Sequence, residues 1–194
     1  MKPLKIVIAD DESVIRMDLK EILQEAGHEV VGETANGRRA VAIVRETSPD
    51  LVIMDIKMPD MDGVEAARMI AADHLAPVLL LTAFDDADLI RRATDAGVLA
   101  YLVKPVEEKN LFPAMEIALS RWREMQSLEE ELEAMRDSLE MRKLLDRAKG
   151  ILMQAHGISE DEAYRRLQRY SMEKRRPLKD VAAAVVQAGT KKRR

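Results

Sequence analysis

Two short apolar runs end on carboxylates, and this restricts the fold more than any other feature of the chain. The run Lys5 to Ala9 is closed by Asp10 and Asp11, and the run Leu51 to Met54 is closed by Asp55. Runs of this length, rich in β-branched residues and separated by helical periodicity, predict strands of a parallel α/β sheet. Parallel strands align their carboxyl ends along one edge. Open α/β sheets hold their ligands at that edge, so the three acids are expected to converge there. Clustered carboxylates repel, and a hard cation such as Mg2+, taken by oxygen ligands, relieves the repulsion.

Two further strand ends extend the constellation. Val78 to Leu81 stops at Thr82, and Ala100 to Val103 stops at Lys104, followed by Pro105. An acid cluster, a hydroxyl and a lysine at successive strand ends suit phosphoryl transfer to a carboxylate. Metal and ammonium neutralise the phosphoryl oxygens, the hydroxyl donates a hydrogen bond, and Asp55 is the expected acceptor. With Glu29 to Thr34 the chain has five such runs, each followed by a helical stretch, which predicts a doubly wound five-stranded sheet.

The runs IVIADDE, LVIMDIKMPDMDG, LLTAF and YLVKP, in this order and spacing, resemble the receiver domain of bacterial two-component response regulators. The resemblance covers about Lys2 to Arg121 and implies a flavodoxin-like strand order 2-1-3-4-5. By position it implies Asp55 as phosphoacceptor, with Mg2+ held by Asp10, Asp11, Asp55 and the backbone carbonyl of Lys57. It further implies Thr82 and Tyr101 as a switch pair, Lys104 as the phosphate partner, and a cis peptide before Pro105. Taken singly, these residues have plainer uses: Asp10 to Ser13 as a helix cap, Thr82 as a strand-end hydroxyl, Tyr101 as a strand aromatic. Asp60, Asp62 and Gly63 read as turn and cap residues without chemistry.

Cysteine is absent from the 194 residues, which excludes disulfides and thiolate metal sites. No apolar stretch approaches the roughly 20 residues of a membrane span, and the amino terminus enters a strand without a signal-peptide pattern, so no membrane association and a cytoplasmic location are expected. Charge is unevenly spread. Residues 1–122 carry 14 Lys and Arg against 22 Asp and Glu, residues 123–140 carry 2 against 7, and residues 141–194 carry 15 against 6. An acidic body with a carboxyl-terminal segment of charge +9 points to a polyanionic partner for that segment.

Between Pro113 and Gly150 there is neither glycine nor proline, which predicts one long helix. Met125, Leu128, Leu132, Met135 and Leu139 form an a/d seam about two heptads long, as in a short coiled coil; a spacer packed on its own domain is the alternative. Past Met141 three amphipathic helices are expected. The first ends at His156-Gly157, the second opens with a capping box of Ser159 and Glu162, and Pro177 starts the third. The expected division is a receiver over 1–121, a helical linker over 122–140, and a small three-helix bundle over 141–194.

The stretch from AKGILM through Gly157-x-Ser159-x-x-x-Ala163-Tyr164 to the closing DVA resembles the ANTAR domain, an RNA-binding module of transcription antitermination regulators. Gln168 departs from the arginine expected there. The chemistry agrees with RNA: Arg147, Lys149, Arg165, Arg166, Arg169, Lys174, Arg175, Arg176 and Lys179 supply charge. Tyr164 offers either a stacking face or a core contact, and Lys191 to Arg194 forms a basic tip.

Together these features predict a response regulator phosphorylated by a sensor histidine kinase. Phosphorylation is expected to drive homodimerisation and to present paired modules to an RNA hairpin in a leader transcript, preventing a terminator from forming. The alternatives are a DNA-binding response regulator, or a receiver with a protein-interaction output. No enzymatic output is expected beyond incidental autophosphatase activity.

Overall fold

A computed structural model of the chain describes residues 2–83, 91–92 and 95–191. Phe84 of the LLTAF run and the basic tip beyond Lys191 lie outside the described residues. The chain divides into two units, residues 1–126 and residues 127–194.

The first unit is built on strands β1 (Lys5–Ala9), β2 (Glu29–Thr34), β3 (Leu51–Asp55), β4 (Val78–Thr82) and β5 (Ala100–Val103). All neighbours pair in parallel, in the order β2-β1-β3-β4-β5. The expected strands are therefore present, with β3 and β4 each reaching one residue further to take in Asp55 and Thr82. Helices α1 (Ser13–Glu25), α2 (Gly37–Thr47), α3 (Gly63–Ala72) and the start of α4 (Glu108–His156) flank the sheet.

Alternation along the strands sorts the core into two layers. Val7, Ala9, Val52, Met54, Val78 and Leu80 face α2 and α3, packing with Val44, Val64 and Ile70. Ile6, Ile8, Ile53, Leu79 and Leu81 face the other side, with Leu19 and Leu23 of α1 and Leu111 and Met115 of α4. Each such side chain removed from water contributes roughly 1.5–3 kcal/mol. Both faces being covered explains why β1, β3 and β4 read as continuous apolar runs.

Helix α4 is a single helix of 49 residues that includes Pro113 near its start. Its early apolar residues, Leu111, Met115, Ala118 and Trp122, are buried, whereas Leu128, Leu132, Met135 and Leu139 of the a/d seam are all more than half exposed. In the second unit the last turns of α4 join α5 (Glu160–Lys174) and α6 (Leu178–Lys191) around Ala148, Leu167, Val181 and Ala182. Three predicted signals are visible. Gly157 adopts φ +64° just past α4, and the Ser159 side chain accepts from the Glu162 N–H at 3.3 Å. Pro177 stands one residue before α6 rather than within it, and its carbonyl accepts from Asp180 and Val181. No helix among the described residues is long and apolar enough to cross a membrane.

Candidate functional site

The carboxyl ends of β1, β3, β4 and β5 meet as the alternation of elements requires. Asp10 follows β1 and is fully buried, Asp55 ends β3 with 5% exposure, and Thr82 ends β4 with 3% exposure. Lys104 follows β5 and donates its backbone N–H to the Thr82 carbonyl at 2.8 Å, which stitches the two strand ends together. The Lys104–Pro105 peptide is cis.

The Lys104 ammonium lies 2.8 Å from Asp10 Oδ2, 3.2 Å from Asp55 Oδ1 and 3.5 Å from Glu12 Oε1. Burial alone lowers the lysine's proton affinity, but bonding and negative charge from Asp10 and Asp55 outweigh it, and its pKa rises above the ordinary value. Burial raises the Asp55 carboxyl; Lys104 pulls it down, Asp10 pushes it up, and the net result is upward. Asp55 is thus a crowded, dehydrated carboxylate with the Lys104 ammonium beside it.

Side-chain oxygens of Asp10, Asp11 and Asp55 all lie within 4.8 Å of one another. Asp10 Oδ2 is buried, and its described partner is the Lys104 ammonium at 2.8 Å, which leaves a lone pair of this oxygen unused. An all-oxygen donor set with unused lone pairs fits a hard divalent cation such as Mg2+. The capping alternative for these acids is not met, because α1 is capped at Glu12 without any side-chain hydrogen bond. Asp10 Oδ1 instead accepts from the Glu12 N–H at 2.9 Å, which aims the carboxylate at the cluster. Lys57 lies two residues past β3 on the adjoining loop. Tyr101, on β5 opposite Leu80, is 45% exposed on the outer edge of the sheet and does not touch the buried cluster by any described bond.

Three residues of this site were not legible as such. Gly63 read as a turn residue, yet a Cβ there would collide with the backbone carbonyl of Asp55, and its N–H donates to the Ile56 carbonyl at 2.8 Å. Its place after Asp62, the N-cap of α3, was the available signal. Arg16 donates to the Asp10 carbonyl at 2.6 Å, and Glu12 shares Lys104. Glu12 closes the IVIADDE run without a role read for it, and Arg16 belongs to none of the quoted motifs.

In the second unit the expected RNA-facing residues spread over three elements. Arg147 and Lys149 lie on α4; Tyr164, Arg165, Arg166, Arg169 and Lys174 lie on α5; Arg175 and Arg176 form the turn before α6. Lys149 is drawn inward: its ammonium is 2.8 Å from Asp146 Oδ1 and 2.6 Å from Glu160 Oε1, and these two carboxylates raise its pKa. Arg166 Nε bonds Glu162 at 3.3 Å. Tyr164 is neither core nor fully open, at 38% exposure, and its hydroxyl accepts from Gln168 Nε2 at 3.3 Å. The unusual glutamine thus has a local partner. Arg175 closes α5 in the left-handed region at φ 50°, a conformation usually left to glycine.

The profile of the response regulator receiver domain matches residues 6–116, and that of the ANTAR domain matches residues 133–186. Transcriptional regulatory protein PdtaR of Mycobacterium tuberculosis is 49% identical over 191 residues, spanning 98% of this chain and 93% of that protein. Chemotaxis protein CheY of Thermotoga maritima is 38% identical over 112 residues, 57% of this chain and 93% of that one. Among solved structures, the signal receiver domain of a modulated diguanylate cyclase from Desulfovibrio desulfuricans G20 superposes with a TM-score of 0.59 at 28% identity, covering 63% of this chain and 98% of that one. With a receiver domain in the first half, an ANTAR domain in the second, and similarity to PdtaR along nearly its whole length, the chain belongs to the response regulators of the receiver–ANTAR type.

Proposed function

We propose that this chain is a phosphorylation-dependent response regulator that binds RNA hairpins in leader transcripts and acts as a transcription antiterminator in the cytoplasm. The observation that carries the reading is the Lys104 ammonium set between the buried Asp10 and Asp55 carboxylates, in one chain with a basic three-helix module.

In the proposed chemistry a carboxylate oxygen of Asp55 attacks the phosphorus of a phosphohistidine on a sensor kinase. The new O–P bond forms as the P–N bond breaks, and the leaving imidazole keeps the electron pair. Lys104 balances charge on the acyl phosphate, and Thr82, buried at the next strand end, donates its hydroxyl to a phosphoryl oxygen. Asp10, Asp11, Asp55 and the backbone carbonyl of Lys57 are the proposed Mg2+ ligands; the cation neutralises phosphoryl charge that one lysine cannot balance. Withdrawal of Thr82 toward the phosphoryl group leaves space that Tyr101, now half-exposed, fills by turning inward. The outer face around β5 changes with it.

We assign residues 1–121 to the receiver, 122–140 to the linker and 141–194 to the RNA-binding module. The exposed Leu128, Leu132, Met135 and Leu139 seam is the proposed homodimer contact, favoured by phosphorylation. Arg147, Arg165, Arg166, Arg169, Lys174, Arg175 and Arg176 are the proposed phosphate contacts, each adding sequence-independent affinity. The test is binding of the full chain to a hairpin RNA pool and to duplex DNA, with and without an acyl-phosphate donor. Selective hairpin binding supports the reading. Preference for duplex DNA, or binding to neither, overturns it.

A further inference from the structure

The second unit contains a groove that the sequence gives no hint of. Its floor is Leu152 of α4, Leu167 of α5 and Val185 of α6, and its volume is about 310 Å3, the lower end of the range for small-ligand sites. One wall is α6, where Ala184 keeps the groove open. The other wall is α5, where Arg166 and Tyr170 stand one turn apart. Tyr170 is 50% exposed, and the Lys174 ammonium lies over its ring, 5.9 Å from the centre.

The rim and the floor ask for different things. The floor is apolar and wants a flat, weakly hydrated body. The rim carries an arginine, an aromatic face and a lysine at helical steps, which suits a body attached to a phosphate backbone. The three-helix module of a second copy is a poor occupant, because it would bring a segment of charge +9 against another of the same sign.

We infer that this groove receives one unpaired base of the RNA hairpin loop, with Tyr170 as the stacking face and Arg166 and Lys174 holding the flanking phosphates. The inference rests on the RNA-binding reading above and deepens it. It moves the stacking role from Tyr164, whose hydroxyl is engaged by Gln168, to Tyr170, which lies six residues on and faces another side of α5.

The experiment uses the full chain and a hairpin with a loop selected by this protein from a randomised pool, compared with the same stem closed by an abasic loop. Affinity is read by fluorescence anisotropy over a series of salt concentrations. The intact loop should bind about tenfold more tightly than the abasic loop, the scale of one base stacked on an aromatic. Tyr170→Ala should abolish that difference and Tyr170→Phe should retain it, both with an unchanged salt dependence. Ala184→Met, which narrows the groove from an exposed position, should abolish it while circular dichroism shows the fold intact. Equal binding of intact and abasic loops overturns the groove assignment and leaves the RNA reading standing. Failure to select any hairpin overturns both. If Ala184→Met changes the sedimenting mass and not the loop discrimination, the groove is an interface between copies and the inference is wrong.

Discussion

The ammonium of Lys104 lies 3.2 Å from Oδ1 of Asp55, bridging two strand ends that are far apart in sequence. The same ammonium also holds Asp10, so one cation serves two buried carboxylates. Among the described ion pairs this sharing leaves negative charge in excess, which makes the site costly to fold and suits its oxygens to a divalent cation. Asp55→Asn, which removes one of the crowded charges, is expected to stabilise the Mg2+-free protein by on the order of 1 kcal/mol, roughly 4 °C in Tm. Lys104→Met leaves both acids without their cation and should cost about 3–5 kcal/mol. Mg2+ should recover part of that loss. Thermal unfolding with EDTA and with Mg2+ separates these outcomes; a Lys104→Met protein as stable as wild type in EDTA would show the ion pair to be unimportant.

Gly63 is expected to matter for metal binding although it offers no ligand. A methyl group there meets the Asp55 carbonyl, which must shift. Gly63→Ala should destabilise the protein by about 1–3 kcal/mol, as overpacking does, and weaken Mg2+ binding in a titration. Gly27→Ala is the control, since a Cβ there meets nothing and only its φ of +83° is strained. It should leave Mg2+ affinity unchanged.

Lys149 and Glu160 should behave as one unit. Their contact joins the end of α4 to the start of α5 across the Gly157 turn. If the lysine acts by fixing that turn, Glu160→Gln lowers RNA affinity several-fold, Lys149→Met does the same, and the double variant is no worse than either. A direct phosphate contact gives a different result: Lys149→Met alone lowers affinity and reduces the salt slope by about 1, while Glu160→Gln does not weaken binding.

His28 sets a pH limit on the first unit. It is buried, its Nδ1 accepts from the Leu4 N–H at 3.3 Å, and its ring lies 6.2 Å from Phe112. Burial, aided by the positive amino terminus, lowers its pKa. The unfolded chain therefore takes up this proton near pH 6.5 while the folded chain still resists it, so stability is lost as pH falls below about 6.5. Asn at position 28 keeps an acceptor and does not titrate. Wild type should lose more Tm between pH 7 and pH 5 than His28→Asn, and parallel losses would remove His28 from the explanation.

The central strands β1, β3 and β4 were readable because each is buried on both faces and therefore written as an apolar run ending at a polar residue. Asp10, Asp11, Asp55, Thr82 and Lys104 were found at the ends of those runs, and the structure brings the buried members together. What the sequence could not show depends on close approach across the turns that join neighbouring elements. Gly63 against Asp55, Arg16 against the Asp10 carbonyl, and Glu160 against Lys149 have no periodicity to announce them. The basic residues of the second unit were visible as charge, but their pairing was not. Arg166 with Glu162 and Lys149 with two acids are set by helix register and by the turn at Gly157. The groove between Tyr170 and Ala184 is set by the packing of three helices and has no counterpart in sequence spacing.

The most direct test of the account is the affinity of the full chain for a selected hairpin RNA, measured in Mg2+ before and after phosphorylation, with intact mass confirming one phosphoryl group per chain. The expected result is an increase of about tenfold or more on phosphorylation, within the usual range of coupling between sites, and none in Asp55→Ala. Equal affinity of the phosphorylated and unphosphorylated protein would contradict it.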